Sequence, residues 1–176
     1  MIELMVVIFI LGLMATMVIP RFINREPAAE WPNILDDLNS LILFARQEAI
    51  SYQRVYRLTF TATPPTRQDS VVVEEELENP EKPGAKIYKP VTSYVNTKYI
   101  MPASVKIRAI YIGKEKVISE GEPGSAHCYI IPDGLVQDSL VLLSRKNEMG
   151  EMGGSFKIMP FFGRFEFFEG YTKPER

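Results

Sequence analysis

One adjacent pair of side chains in the sequence, His127 and Cys128, combines a base with a nucleophile. The surrounding pattern predicts a strand, and neighbouring residues on a strand point to opposite faces of the sheet. The two side chains therefore cannot form the hydrogen-bonded pair that nucleophilic catalysis requires. His127 is the only histidine in the chain, and zinc sites normally use several histidine and cysteine ligands. We interpret Cys128 as a buried strand cysteine and predict no catalytic residue, no metal site and no cofactor.

Two other groups of residues are candidates for a functional site. The acidic run Glu74–Glu76 follows three valines, which predicts the solvated end of a strand rather than an acid/base pair. Five phenylalanines lie close together near the C-terminus. Alternation along a strand predicts that Phe165 and Phe167 share the core face, and it leaves three aromatic rings available for contact with a partner: Phe161, Phe162 and Phe168.

The composition is that of an ordinary globular protein. The chain has 176 residues and a net charge of −2, with both signs interspersed. Such a balance does not attract nucleic acid or anionic lipid to the molecule as a whole. A single cysteine cannot form an internal disulfide bond. The sequence contains neither a P-loop nor a Gly-x-Ser-x-Gly elbow, and we predict a protein without enzymatic activity.

The first twenty residues, which end at Pro20, form an apolar segment with Glu3 as its only charge. A helix over the positions before Pro20 would be roughly 28 Å long, close to the roughly 30 Å of a bilayer's hydrocarbon core. No basic residue precedes the apolar run, as one would in a cleaved signal peptide. We therefore predict that residues 1–20 are a retained transmembrane anchor. Glu3 then has either a functional partner in the membrane or a place in the headgroup layer, where the helix dipole favours its charge.

Residues 21–51 are predicted to form a polar connector followed by an amphipathic helix that ends near Ser51. The helix prediction rests on apolar residues at the spacing of a core-facing helix: Trp31, Ile34, Leu35, Leu38, Leu41, Ile42, Ala45 and Ala49. Residues 52–176 are predicted to be a β-rich domain of short antiparallel strands. The best-defined strands are Val55–Thr61, Ser70–Glu76, Ser104–Ile112, Cys128–Ile131, Ser139–Leu143, Ser155–Met159 and Arg164–Phe168. One helix followed by such strands is an α+β architecture.

The phrase Ile2-Glu3-Leu4-Met5-Val6-Val7-Ile8, continuing through Gly12 to Pro20, resembles the prepilin N-terminal methylation motif of type IV pilins and type II secretion pseudopilins. The resemblance implies a pilin-like fold, in which a long N-terminal helix (membrane anchor plus amphipathic half) precedes an antiparallel β-sheet domain. It implies that Glu3, flanked by Ile2 and Leu4, pairs with the N-terminal amine of a neighbouring subunit during assembly. It also implies that Pro20 bends the helix where it leaves the membrane.

Three downstream phrases are similar to those of the H-type minor pseudopilins: Arg46–Ile50, Ile130–Gly134 and Gly163–Phe165. The expected function is accordingly that of a non-enzymatic minor pseudopilin in a type II secretion pseudopilus. A minor type IV pilin or pilus-assembly protein for adhesion or DNA uptake is an alternative with the same N-terminal motif. A membrane-anchored periplasmic enzyme is a third. A major pseudopilin is disfavoured because no acidic calcium-binding phrase occurs near the C-terminus.

The resemblance also implies a location and a set of partners. The chain is expected in the inner membrane as a single-pass protein with its globular domain in the periplasm. Expected partners are other pseudopilins or pilins, an inner-membrane assembly platform and membrane lipid. A nucleic-acid partner is not expected, because the C-terminal segment Lys173–Arg176 mixes both charges. We further predict that the loops Glu78–Asn96 and Met149–Gly154 carry partner specificity, and that deletion of Lys82–Val95 leaves the sheet folded.

Overall fold

The computed structural model describes Phe9 and residues 31–93, 95–147 and 150–173. The chain divides into two units, Met1–Glu30 and Trp31–Arg176. Apart from Phe9, the predicted anchor and connector lie outside the described residues. So do the predicted assembly residues Ile2, Glu3 and Leu4 and the predicted kink at Pro20. No helix in the part of the chain that the structure describes is long and apolar enough to cross a membrane.

From residue 31 onward, the described chain contains one α-helix followed by ten strands. The helix α1 spans Trp31–Tyr52. The strands are β1 (Tyr56–Ala62), β2 (Ser70–Glu78), β3 (Lys86–Pro90), β4 (Lys98–Ile100), β5 (Val105–Ile112), β6 (Glu115–Ile118), β7 (Gly124–Ile130), β8 (Ser139–Asn147), β9 (Gly150–Met159) and β10 (Arg164–Glu169).

The predicted fold class is wrong in its long N-terminal helix. The described helix α1 has 22 residues and begins at Trp31. Pro32 occupies its first turn, where the fixed φ of proline suits a helix and its missing N–H would have had no partner. The helix ends as the apolar pattern predicted, one residue after Ser51. There Gln53 adopts a left-handed conformation (φ 53°) and its side-chain amide donates to the carbonyl of Ile50 at 2.8 Å.

The strands form two five-stranded sheets, both antiparallel, where the prediction had one. Sheet 1 has the order β3-β2-β1-β7, with β4 pairing the other half of β2. Sheet 2 has the order β10-β9-β8-β5-β6. The helix α1 contacts β1 of sheet 1 and β10 of sheet 2. Its apolar stripe is therefore buried against both sheets.

The core contains the helix residues that the periodicity predicted, with the exception of Leu35, which is only half-buried. Seven of the eight predicted positions on α1 are buried: Trp31, Ile34, Leu38, Leu41, Ile42, Ala45 and Ala49. The indole of Trp31 stacks on Phe167 (centroids 5.7 Å apart) and meets Phe156 edge-on (5.9 Å). Phe165 meets Phe60 of sheet 1 at 6.4 Å, so the placement of Phe165 and Phe167 toward the core is confirmed.

Regular alternation along the predicted strand Ser104–Ile112 would place Ala109 and Tyr111 on the same face as Val105 and Ile107, but a β-bulge in β5 sends them to the opposite face. The register against β8 shifts between Ile107, which faces Leu143, and Ala109, which faces Leu142. Because one extra residue in a strand reverses every later side chain, Ala109 and Tyr111 leave the face of Ile107. They form a second apolar cluster with Leu140 and Leu142 on the outer face of sheet 2.

The predicted loop Glu78–Asn96 contains the strand β3, so its interpretation as a single loop is wrong. Ile87 and Tyr88 pair with Leu77 and Glu76 of β2. Deletion of Lys82–Val95 would therefore remove an edge strand of sheet 1. The predicted Met149–Gly154 loop is likewise wrong in part, since Gly150–Gly154 belong to β9.

The buried carboxylate of Asp69, just before β2, connects the two sheets. Its side chain is 1% exposed. Oδ2 accepts the backbone N–H of Ile107 in sheet 2 at 2.7 Å. Oδ1 accepts the backbone N–H and the hydroxyl of Thr63, each at 2.8 Å, and Lys106 Nζ lies 3.4 Å away. Asp69 thus links β5 of sheet 2 to the residue that directly follows β1 of sheet 1.

Candidate interaction surface

The possible nucleophile Cys128 and the possible base His127 lie on opposite faces of β7, as the sequence predicted. Cys128 is fully buried, and its Sγ donates to the carbonyl of Gln137 at 3.4 Å. Burial raises the pKa of the Cys128 thiol to about 12, so the thiolate that a nucleophile requires is not formed at neutral pH. His127 lies on the outer face of sheet 1, where its Nδ1 is 3.0 Å from Thr59 Oγ1.

His127 belongs to a polar network centred on Glu74. A carboxylate oxygen of Glu74 accepts from Arg57 Nε and from the hydroxyl of Thr59, each at 2.6 Å. The hydroxyl has one proton, so His127 Nδ1 must be the donor to Thr59 Oγ1. Burial, and secondarily the charge of Arg57, lowers the pKa of His127, which keeps the ring neutral. Each of these polar groups has a partner within the network, which stabilises sheet 1.

Glu76 extends this network to β3. It accepts from Lys86 Nζ at 2.7 Å and from the Tyr88 hydroxyl at 2.8 Å. Burial alone would raise the pKa of Glu76, but these two hydrogen bonds outweigh it and lower the pKa. The Arg57 guanidinium lies 3.8 Å from the centre of the Tyr88 ring. The interpretation of Glu74–Glu76 as a solvated strand end is therefore wrong.

In the described ranges, no group of three His, Cys, Asp or Glu residues is placed to hold a metal ion.

Arg46, on the helix α1, joins the helix to the turn between β9 and β10. Its guanidinium donates to the carbonyl of Phe162 at 2.8 Å and to that of Phe161 at 3.3 Å. These residues form the turn between β9 and β10. Arg46 Nε is buried without a partner, which places the guanidinium in a confined position beneath the turn. The arginine therefore determines how this turn is presented at the surface.

Two glycines, Gly134 and Gly163, leave space for the Arg46 side chain. Each belongs to one of the three phrases on which the downstream sequence resemblance rests. At Gly163, which has φ +59°, an added Cβ would lie 2.7 Å from Arg46 Cδ. At Gly134, which has φ +79°, it would lie 2.8 Å from Ile50 Cδ1 and 3.1 Å from Arg46 Nε. The positive φ favours glycine at both positions, and at Gly163 an added side chain would also force Arg46 to move. The phrases Arg46–Ile50, Ile130–Gly134 and Gly163–Phe165 meet at one place in the fold.

Around Arg46 the molecule exposes large apolar side chains, which we name the Arg46 surface: Leu43, Ile50, Phe161 and Phe162. Phe161 and Phe162 are 76% and 62% exposed, on a turn that Arg46 holds in place. Leu43 and Ile50 line a groove of about 440 Å³ along the exposed side of α1. Adjacent exposed aromatic and aliphatic residues on a rigid support are typical of protein interaction sites.

A second residue of α1, Asn39, joins the helix to strand β10. The Asn39 side chain accepts the N–H of Phe165 at 2.7 Å and donates to its carbonyl at 3.4 Å. These backbone groups lie on the free edge of β10, since β10 pairs only with β9 among the described strands. The helix therefore provides hydrogen-bond partners for two backbone groups on the edge of sheet 2, while the adjoining turn between β9 and β10 stays exposed.

Sequence reasoning identified Phe161 and Phe162 but not the residues that position them. In the sequence Arg46 stands out only as part of a phrase at the helix end, and its hydrogen bonds connect residues that are 115 and 116 positions apart. Helical periodicity does not connect such distant positions. The one available signal was the set of glycines at Gly134 and Gly163, because glycine after a strand often marks the close approach of another group.

No protein-family model matches the chain, and no curated protein sequence matches it. Among solved structures, it is similar to the crystal structure of the minor pseudopilin EpsH from the type II secretion system of Vibrio cholerae. That likeness has 11% sequence identity and a TM-score of 0.46, and it covers 80% of this chain and 99% of the other.

Proposed function

We propose that the protein is a non-enzymatic structural subunit, a minor pseudopilin of a type II secretion pseudopilus. One observation carries the proposal: a lone glutamate, Glu3, in an apolar run that continues to Pro20, in the phrase that resembles the pilin N-terminal motif. Residues 1–20 anchor the chain in the inner membrane, and the β-rich domain lies in the periplasm. Neighbouring pilin-like subunits are its partners, with the assembly platform and membrane lipid.

Glu3 is assigned the role of pairing with the N-terminal amine of a neighbouring subunit. A carboxylate in a low-dielectric environment is costly unless it is paired. We expect Glu3→Gln to impair co-purification with neighbouring pilin-like subunits, while the thermal midpoint of the domain stays unchanged. The measurement is quantitative recovery of subunits whose own sequences carry the same apolar–Glu–apolar phrase. Unchanged recovery would assign Glu3 to the headgroup layer instead.

The Arg46 surface is assigned the contact with the domain of a neighbouring subunit. An apolar surface suits this partner because a filament brings folded domains of similar subunits side by side. The two phenylalanines are the anchors, since aromatic rings supply most of the free energy of many interfaces.

We expect Phe161→Ser combined with Phe162→Ser to weaken the recovery of neighbouring subunits by roughly tenfold or more. Both side chains are exposed, so the free energy of unfolding should change by less than about 0.5 kcal/mol each. Val117→Ser, at an exposed aliphatic residue on β6, is the matched control and should leave recovery unchanged. Equal recovery by the double variant and the control would remove the Arg46 surface from the interface.

A further inference from the structure

The residues that follow β10 lie across the outer face of sheet 2. After β10 the chain turns at Gly170, whose N–H donates to the carbonyl of Gly153 at 3.1 Å. The hydroxyl of the fully buried Ser155 donates to the Gly170 carbonyl at 2.6 Å and accepts the Thr172 N–H at 2.9 Å. The segment from Gly170 to Thr172 is therefore fixed across the sheet rather than extending away from it.

Tyr171 also attaches this segment to sheet 2. Its ring lies against Gly153, where an added Cβ would come within 2.5 Å of the ring. The Arg108 guanidinium lies 4.4 Å from the ring centre. The buried apolar cluster of Ala109, Leu140 and Leu142 lies on the same face of the sheet. Leu140 also lines an adjacent cavity.

This cavity of about 400 Å³ lies between the β5–β6 turn, the start of β8 and the C-terminal segment. Its lining combines apolar groups of Leu140 and Phe168 with three lysines, Lys114, Lys157 and Lys173. Within the described residues, neither Lys114 nor Lys173 has an ion-pair partner, although the chain as a whole carries a net charge of −2. Cationic groups beside apolar groups select an anion that is attached to an apolar group.

The cavity also contains Asp138 and Thr172. A carboxylate in the lining disfavours a multiply charged anion such as phosphate, because the like charges repel. It accepts a hydrogen bond from an N–H donor such as a peptide amide. The volume is at the lower end of the roughly 300–1,000 Å³ that small-ligand sites occupy, so it admits side chains but not a folded element.

We propose that this cavity binds a peptide segment of a partner protein in which a carboxylate stands beside an apolar side chain. The carboxylate lies between Lys114 and Lys173, the apolar group contacts Leu140 and Phe168, and a peptide N–H donates to Asp138. This site lies on the outer face of sheet 2 and is independent of the Arg46 surface. It stands whether or not the protein is a pseudopilin.

The test uses the full chain, labelled with ¹⁵N, in a neutral detergent, and follows amide shifts at Gly113, Lys114 and Phe168. The probes are N-acetyl-L-phenylalanine, its uncharged amide and inorganic phosphate. The first should give saturable shifts with a millimolar Kd, and the other two should bind more weakly. The double substitution Lys114→Gln and Lys173→Gln should raise the Kd for N-acetyl-L-phenylalanine by roughly fivefold, as expected for the loss of two exposed ion pairs.

Lys89→Gln, at an exposed lysine on β3 of sheet 1, is the matched control and should leave the Kd unchanged. Equal binding of the uncharged amide would overturn the role of the lysines and leave only an apolar cavity. Tighter binding of phosphate would overturn the peptide assignment in favour of a phosphate site. The absence of saturable shifts with N-acetyl-L-phenylalanine would overturn the site altogether.

Discussion

Replacement of Asp69 by alanine is expected to lower the free energy of unfolding by about 3–5 kcal/mol. The side chain is almost fully buried, and its removal leaves the N–H groups of Ile107 and Thr63 without acceptors. A buried donor without a partner costs roughly 1–3 kcal/mol. The nearby ammonium of Lys106 also loses its carboxylate. Because a folded domain has a total stability of about 5–15 kcal/mol, such a loss would be a large fraction of the free energy of unfolding.

The measurement is urea-induced unfolding of the full chain in a neutral detergent, monitored by the fluorescence of Trp31. This residue is the only tryptophan, and it packs against Phe156 and Phe167 of sheet 2, so its emission reports on docking of the helix. Asp69→Asn should have an intermediate effect, because one acceptor oxygen is retained. Asp133→Ala, at an exposed aspartate, should change stability by less than about 0.5 kcal/mol. A loss of less than about 1 kcal/mol in Asp69→Ala would show that water replaces the carboxylate.

Replacement of Gly163 by alanine is expected to cost about 3 kcal/mol, from two separate causes. The first is conformational, since a residue with a Cβ is strained at φ +59°. The second is steric, since the new Cβ would lie 2.7 Å from Arg46 Cδ. Arg46 would have to move, and its hydrogen bonds to the turn at Phe161 and Phe162 would be lost. The exposed aromatic pair would then lose its fixed presentation.

Gly113 separates the two causes, because it has the same φ of +59° and no atom within 4 Å of an added Cβ. Gly113→Ala should therefore cost only the conformational part, about 1–2 kcal/mol. In an Arg46→Ala background, Gly163→Ala should cost no more than Gly113→Ala, which a double-mutant cycle measures by urea unfolding. Equal costs for the two glycines in the unmodified chain would mean that Arg46 adapts freely. It would also contradict the role of Arg46 in holding the turn.

Helical periodicity predicted α1 well, because burial of one helix face requires apolar residues at a regular spacing that a short stretch of sequence already shows. Seven of its eight predicted core positions are buried, and only Leu35 stays half-buried. Strand alternation placed Phe165 and Phe167 toward the core and put His127 and Cys128 on opposite faces for the same local reason. Alternation failed in β5, where a bulge between Ile107 and Ala109 reverses the later side chains. It also missed β3, a short edge strand whose stability comes from pairing with the distant β2.

The sequence alone determined the secondary structure where apolar residues repeat regularly, and it determined that His127 and Cys128 do not form a nucleophile–base pair. It also carries the resemblance of residues 2–20 to the pilin motif. Only the tertiary structure decided that α1 begins at Trp31, that the strands form two sheets, and that Asp69 connects them. It also decided that Arg46 meets Gly134 and Gly163 beneath an exposed aromatic turn. The physical reason is that periodicity is a property of neighbours along the chain. Hydrogen bonds such as that from Arg46 to Phe162, 116 residues away, form only when folding brings distant segments together.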